Sequence, residues 1–155
     1  MQYLIEIASC VVGALGYALM YNVKRDKIIP ATIGGFVTIT VYVVTNKMFN
    51  QIILPTTLAS AAITIYSEVL ARKLKSPATV FLLPGIIPLV PGGGLFYTMS
   101  GLLTGNEWEF HYYGMSTFQT AVGIAIGVIL TSVIVYHINK SLYMKMKKAK
   151  ENIKK

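Results

Sequence analysis

Two long segments without a formally charged residue constrain the fold of this chain more than any other feature. They cover residues 76–106 and 110–139. Each is longer than the roughly 20 residues of helix that cross about 30 Å of hydrocarbon. Of the 155 residues, 54% are hydrophobic and 13% are charged, about half the charged fraction of an ordinary soluble domain. So few charged side chains cannot cover a soluble protein of this size, and the sequence therefore predicts an integral membrane protein.

Apolar stretches between polar breaks predict about five transmembrane helices. These cover residues 3–21, 28–45, 52–70, 78–103 and 113–138. The second stretch is rich in β-branched residues that favour a strand in water, but a lone strand in lipid would leave its backbone groups unsatisfied. A β-barrel is disfavoured because its strands are short and alternate in polarity. The predicted fold is all-α, with a transmembrane domain over residues 1–138 and a basic cytoplasmic tail over residues 139–155.

The basic residues predict the orientation of these helices. All fourteen Lys and Arg residues except Lys47 fall in residues 22–27, in residues 71–77 or in the tail. Five helices put these three segments on one side, and the loop predicted at 104–112 on the other side has two acids and no base. Because positively charged loops stay in the cytoplasm, we expect the N-terminus outside the cell and the C-terminus in the cytoplasm. The net charge of +8 therefore reflects topology and does not indicate nucleic-acid binding.

The fourth predicted helix contains a Pro/Gly segment that a regular helix cannot run through. Three prolines, the last of them Pro91, remove backbone donors, and three glycines follow. Broken backbone at membrane depth is tolerated where it is buried in protein or lines a watery cavity. If a half-helix begins after Pro91, the N–H groups of Gly92, Gly93 and Gly94 form the positive end of its dipole, where a carboxylate can bind. The alternative is a structural kink or re-entrant turn without a ligand.

Few ionisable groups fall within the predicted helices. Glu68 is spaced to pair with Arg72 at i, i+4, and it is also a candidate for proton coupling. Glu6, near the outer end of the first helix, is a second candidate for coupling. His111 and His137 are interpreted as interfacial, since two isolated histidines make no metal site. No catalytic constellation is present, so neither an enzyme nor a cofactor is predicted.

Small and aromatic residues predict how the helices pack. One stripe of small residues, on the first helix, consists of Ser9, Gly13 and Gly16. A second stripe, on the fifth helix, consists of Gly123, Gly127 and Thr131, with Gln119 one turn before it. Such stripes allow close helix approach, and the sequence leaves open whether the neighbour belongs to this chain or to another. The lysine-rich tail is interpreted as a helix end near anionic lipid heads, with a docking site for a partner as the alternative.

A family resemblance is carried by residues 84–99, whose sequence is Pro-Gly-Ile-Ile-Pro-Leu-Val-Pro-Gly-Gly-Gly-Leu-Phe-Tyr-Thr-Met. With the basic loop before it and a second match at residues 16–23, this stretch resembles the threonine/serine exporter family, in its small-subunit (YjjB-like) branch. The length and the five-helix layout agree, so the resemblance covers nearly the whole chain. It implies an inner-membrane export component that works with a larger companion subunit on a small amino acid or, in some members, a small dicarboxylate.

Together, the resemblance and the broken helix predict a proton-coupled exporter subunit for threonine, serine or a related small carboxylate. The predicted substrate-binding residues are Pro91, Gly92, Gly93, Gly94, Tyr97 and Thr98, and the predicted proton site is Glu68. One alternative is an accessory membrane scaffold whose broken helix shapes a subunit interface. Another is a channel, whose efflux would not respond to a protonophore. The expected partners are the companion subunit, the lipid bilayer and the solute, in a hetero- or homo-oligomer.

Overall fold

Helices make up the computed structural model, which describes the backbone of residues 2–49 and 51–153 and the side chains of residues 5–49 and 51–141. The elements are α1 (Gln2–Met20), α2 (Arg25–Phe49), α3 (Ile53–Lys73), α4 (Thr79–Ile86), a 3-10 helix (Ile87–Leu89), α5 (Gly92–Thr104) and α6 (Glu107–Ile153). None of the described residues lies in a strand. The predicted all-α fold is confirmed.

The interior of the bundle is small and hydroxyl-rich, and its surface is apolar. The fully buried residues of α3 include Thr56, Ser60 and Thr64. Their hydroxyl groups donate to carbonyl oxygens of the same helix, as from Thr64 to the Ser60 carbonyl at 2.7 Å, so burial leaves them satisfied. Large apolar side chains point outward instead, and Leu103 is 82% exposed. An apolar surface of this extent is the surface of a protein that contacts lipid.

Three helices are long and apolar enough to cross a membrane. They are α2, α3 and the part Glu107–Ser141 of α6. The α4 segment with its 3-10 extension and α5 qualify together as a fourth span, bent by 53° at the break between them. In α1 the apolar stretch is shorter, Ile5–Met20. These helices confirm a multi-pass membrane protein with three or four candidate spans, and the fifth span stays a prediction.

The fourth predicted helix breaks where its Pro/Gly segment predicts. The 3-10 helix ends at Leu89, and Val90 has an extended backbone (φ −65°, ψ 122°). Helix α5 then begins at Gly92 with Pro91 at its N-cap. Proline suits this position because the first residues of a helix have no intrahelical acceptor for their N–H groups. The half-helix expected after Pro91 is therefore present.

The loop predicted at residues 104–112 is wrong. Gly105 turns the chain with φ 71°, and α6 begins two residues later, at Glu107. The Asn106 side chain accepts a hydrogen bond from the Glu109 backbone N–H at 3.3 Å, as an N-cap residue does. Glu107 and Glu109, interpreted as loop acids, instead lie in the first turn, where negative charge complements the helix dipole.

The small-residue stripe of α6 packs against α3 of the same chain. A β-carbon on Gly123 would lie 3.0 Å from the Thr56 β-carbon, and one on Gly127 would overlap the Ser60 hydroxyl. The sequence left open whether this stripe packs on the same chain or on another, and the structure shows that it packs on the same chain. No described atom lies within 4 Å of a β-carbon placed on either glycine of the α1 stripe.

Two basic segments lie at the same end of the bundle. The Lys27 ammonium donates a hydrogen bond to the Ser76 hydroxyl, which joins residues 22–27 to residues 71–77. Lys47 lies in the last turn of α2, at the opposite end of that helix. The charge pattern predicts that these two basic segments lie together and apart from Lys47, as they do here. That this end faces the cytoplasm stays a prediction.

The basic tail continues α6. Its backbone runs on to Ile153 with no break at residue 138. The side chains of residues 142–155, including the lysines of the predicted lipid-facing helix end, lie outside the described residues.

Candidate functional site

A partly enclosed cavity of about 200 Å³ lies beside the break in the fourth span. The broken segment itself forms one part of its lining, from Pro88 to Pro91. The other lining residues come from α1, α2, α3 and α6, and they are Glu6, Cys10, Ile39, Tyr42, Thr56 and Thr120. Four helices and the break therefore meet at one small space. Its volume is below the range of pockets that hold drug-sized ligands, and suits a smaller solute.

The polar groups of the cavity are mostly hydrogen-bond acceptors. Thr56 and Thr120 each donate their hydroxyl hydrogen to the carbonyl four residues earlier, at 2.7 and 2.9 Å, which leaves oxygen lone pairs free to accept. Glu6 adds a carboxylate and Tyr42 a phenol. None of the lining residues that the structure describes is Lys, Arg or His. A bound solute would meet one negative charge here.

The three glycines at the start of α5 differ in their surroundings. The Gly92 N–H donates to the Val90 carbonyl at 2.8 Å. Those of Gly93 and Gly94 belong to the first helical turn, which has no intrahelical acceptor for them. A β-carbon on Gly92 or Gly93 would meet no described atom within 4 Å, whereas one on Gly94 would overlap the Thr117 hydroxyl. The first two glycines are thus open to an approaching group, and the third is packed against α6.

Tyr97 and Thr98 lie one turn further along α5 and face α6. The Tyr97 ring stacks on that of Tyr113 with centroids 4.8 Å apart. The Thr98 hydroxyl donates to the Gly94 carbonyl at 2.6 Å. Next to Gly94, the buried Thr117 hydroxyl has no hydrogen-bond partner among the described residues. Of the predicted substrate-binding residues, Pro91 lines the cavity and the others follow it along α5.

Glu68 lies outside this cavity, in the last turns of α3. Its carboxylate pairs with the Arg72 guanidinium at 3.5 Å, with side chains 32% and 50% exposed respectively. The predicted i, i+4 pair is confirmed, and the proton-coupling role stays a prediction. The carboxylate in the cavity is that of Glu6, the other candidate for coupling.

The three hydroxyl-bearing residues of the cavity, Tyr42, Thr56 and Thr120, were not among the predicted site residues. Threonines are common in apolar helices, and no sequence signal separates these two from the others. In the part of the chain with described side chains, no three His, Cys, Asp or Glu residues are grouped to hold a metal ion.

A bent, discontinuous span beside a solute-sized cavity, in a bundle with an apolar surface, is typical of multi-pass membrane transporters. A family model described as "Threonine/Serine exporter, ThrE" matches residues 6–134. The chain belongs to this family of membrane transporters. No curated protein and no solved structure matches the chain. The predicted family is confirmed, and the small-subunit branch within it stays a prediction.

Proposed function

We propose that this chain is a subunit of a proton-coupled exporter of threonine, serine or a related small carboxylate. The cavity beside Pro91 carries the proposal, because it is a small solute-accessible space that reaches the N-cap of α5. Family membership supports the class of solute. Half-helices that begin inside a transporter commonly bind the carboxylate of an anionic substrate at their N-termini.

In this proposal the solute carboxylate binds at Pro91, Gly92, Gly93 and Gly94. The N–H groups of the first turn and the helix dipole favour a negative group there. The open space around Gly92 and Gly93 supports this position, since no side chain obstructs the approach. Tyr97 and Thr98 supply hydroxyl oxygens one turn away, for the polar side chain of the solute.

Glu68 is the proposed proton site, and the proton gradient across the inner membrane drives export. Protonation would neutralise the carboxylate and release it from Arg72. With the N-terminus outside, the basic segments, including the one that follows Glu68, face the cytoplasm. A larger companion subunit completes the transport path.

A second candidate, the accessory scaffold, is favoured by the surface of α5. This helix packs mainly on α6, and its outward residues are large and exposed: Leu95, Phe96, Met99, Leu102 and Leu103. With 47 residues and about 1.5 Å of rise per residue, α6 is also much longer than the roughly 30 Å of hydrocarbon. In a scaffold, α5 and the start of α6 would shape an interface with the companion subunit.

Reconstitution of the full chain in liposomes, with and without the companion subunit, separates these functions. The vesicles are loaded with labelled threonine, serine or succinate, and efflux is followed with and without an imposed proton gradient. We expect saturable efflux that a protonophore reduces. Efflux that is unchanged by the protonophore would indicate a channel. If the companion alone transports at the same rate as the pair, the chain is a scaffold.

A further inference from the structure

Among the described residues that line the cavity beside Pro91, Glu6 alone carries a carboxylate. It lies one turn before Cys10 on α1, and both side chains reach the cavity. The Glu6 side chain is exposed, so a ligand can reach its carboxylate. The described lining of the cavity therefore carries one negative charge and contains no Lys, Arg or His.

The remaining polar groups of the cavity favour the same kind of ligand group. The hydroxyl oxygens of Thr56 and Thr120 have donated their hydrogens within their own helices and can only accept. An ammonium group has three donors and no acceptor, so it matches a carboxylate with two such oxygens. A second carboxylate on the solute would meet Glu6 as a like charge, and the described part of the lining has no Lys or Arg to offset the repulsion.

We infer that Glu6 binds the α-ammonium group of the solute and makes the site selective for amino acids over carboxylates that lack an amine. The inference rests on the proposed transport function and deepens it. The two charged groups of an amino acid then bind at two places beside the break, the carboxylate at the start of α5, just beyond Pro91, and the ammonium at Glu6 of α1, in the cavity. A dicarboxylate of similar size can bind one carboxylate at the start of α5, but Glu6 repels its second carboxylate.

Competition in proteoliposomes tests this selectivity with the full chain, and with the companion subunit where transport needs it. Vesicles are loaded with labelled L-threonine together with unlabelled threonine, succinate or 3-hydroxybutyrate, which is threonine without its amine. For the wild type we expect 3-hydroxybutyrate and succinate to compete at least about tenfold less well than threonine, from the loss of one charge-assisted hydrogen bond. The competition ratio is the strength of competition by unlabelled threonine divided by that of succinate or 3-hydroxybutyrate. In Glu6→Gln we expect the threonine KM to rise about tenfold and this ratio to fall toward one.

Each outcome bears on one proposal or the other. Wild-type export of threonine with the same competition ratio in Glu6→Gln overturns the inference and leaves the proposed function standing. An unchanged ratio with loss of the protonophore response assigns Glu6 to proton coupling and likewise overturns it. Export of succinate without threonine or serine overturns the inference and leaves the proposed function standing. If the wild type and its companion export none of the three solutes, the proposed function fails, and the inference fails with it.

Two further variants separate charge from packing. Glu107→Gln makes the same chemical change in the first turn of α6, outside the cavity lining, and should leave the ratio unchanged. Glu6→Asp keeps the charge and should retain most of the discrimination. Equal loss in the Asp and Gln variants would contradict a charge effect at Glu6. The competition ratio does not depend on how much protein inserts, so a poorly inserting variant still gives a result.

Discussion

The Ser60 hydroxyl of α3 occupies the space that a β-carbon on Gly127 of α6 would need. The Thr57 carbonyl oxygen crowds the same position, so the obstacle includes backbone as well as side chain. One turn earlier, the Gly123 carbonyl accepts a hydrogen bond from Ser60 at 3.4 Å. Contacts this close between two helix backbones require glycine, and they join α6 to the rest of the bundle.

Replacing Gly127 with alanine should therefore destabilise the bundle. We expect Gly127→Ala to lower the free energy of unfolding in detergent by about 1–3 kcal/mol, because overpacking outweighs the gain in helix propensity. Gly16→Ala is the matched control, since no described atom lies within 4 Å of its added β-carbon. Its stability should be unchanged or higher by up to about 1 kcal/mol. Equal thermal midpoints for the two variants would contradict the packing described for α6 on α3.

Leucine at Gly93 tests the proposed carboxylate site. The position is open, so Gly93→Leu should insert and fold, while the side chain covers the N–H groups of the first turn of α5. We expect export of labelled threonine to fall by at least about a hundredfold, as one to two lost charge-assisted hydrogen bonds imply. Gly16→Leu, at an equally open helical position on α1, should export normally. Normal export by folded Gly93→Leu would remove these glycines from the site.

The Glu68–Arg72 pair tests the proposed coupling. Because both side chains are partly exposed, Glu68→Gln should change the free energy of unfolding by less than about 1 kcal/mol. We expect this variant to lose the response of efflux to an imposed proton gradient while downhill efflux continues. Arg72→Gln breaks the same ion pair but keeps the carboxyl, and should retain the response. A Glu68→Gln variant that still exports against a gradient would exclude Glu68 as the proton site.

Cysteine labelling tests the predicted orientation. In a Cys10→Ala background, Lys47→Cys and Lys73→Cys mark the last turns of α2 and α3, which the charge pattern puts on opposite sides. We expect an impermeant maleimide to label Lys47→Cys in intact cells and Lys73→Cys only after the membrane is opened. The reverse pattern would invert the chain in the membrane and place the N-terminus inside.

Local chemistry explains which parts of the fold were predictable. The break at Pro91 follows from missing backbone donors and flexible glycines, which act on neighbouring residues whatever the rest of the chain does. The loop predicted at 104–112 failed for an equally local reason. Glu107 and Glu109 ended an apolar run and resembled loop residues, but acids are also favoured in the first turn of a helix, and Asn106 caps that turn.

By itself, the sequence determined a helical membrane protein with a broken span and its basic segments at one end. Charge, hydropathy and proline act over short stretches of chain, so each of these features can be predicted from the residues of its own segment. Only the tertiary structure decided that Glu6, Tyr42, Thr56 and Thr120 meet the break at Pro91. Their meeting depends on which face each helix turns toward its neighbours, and that is set by close contacts such as Gly127 on Ser60, between residues far apart in the chain.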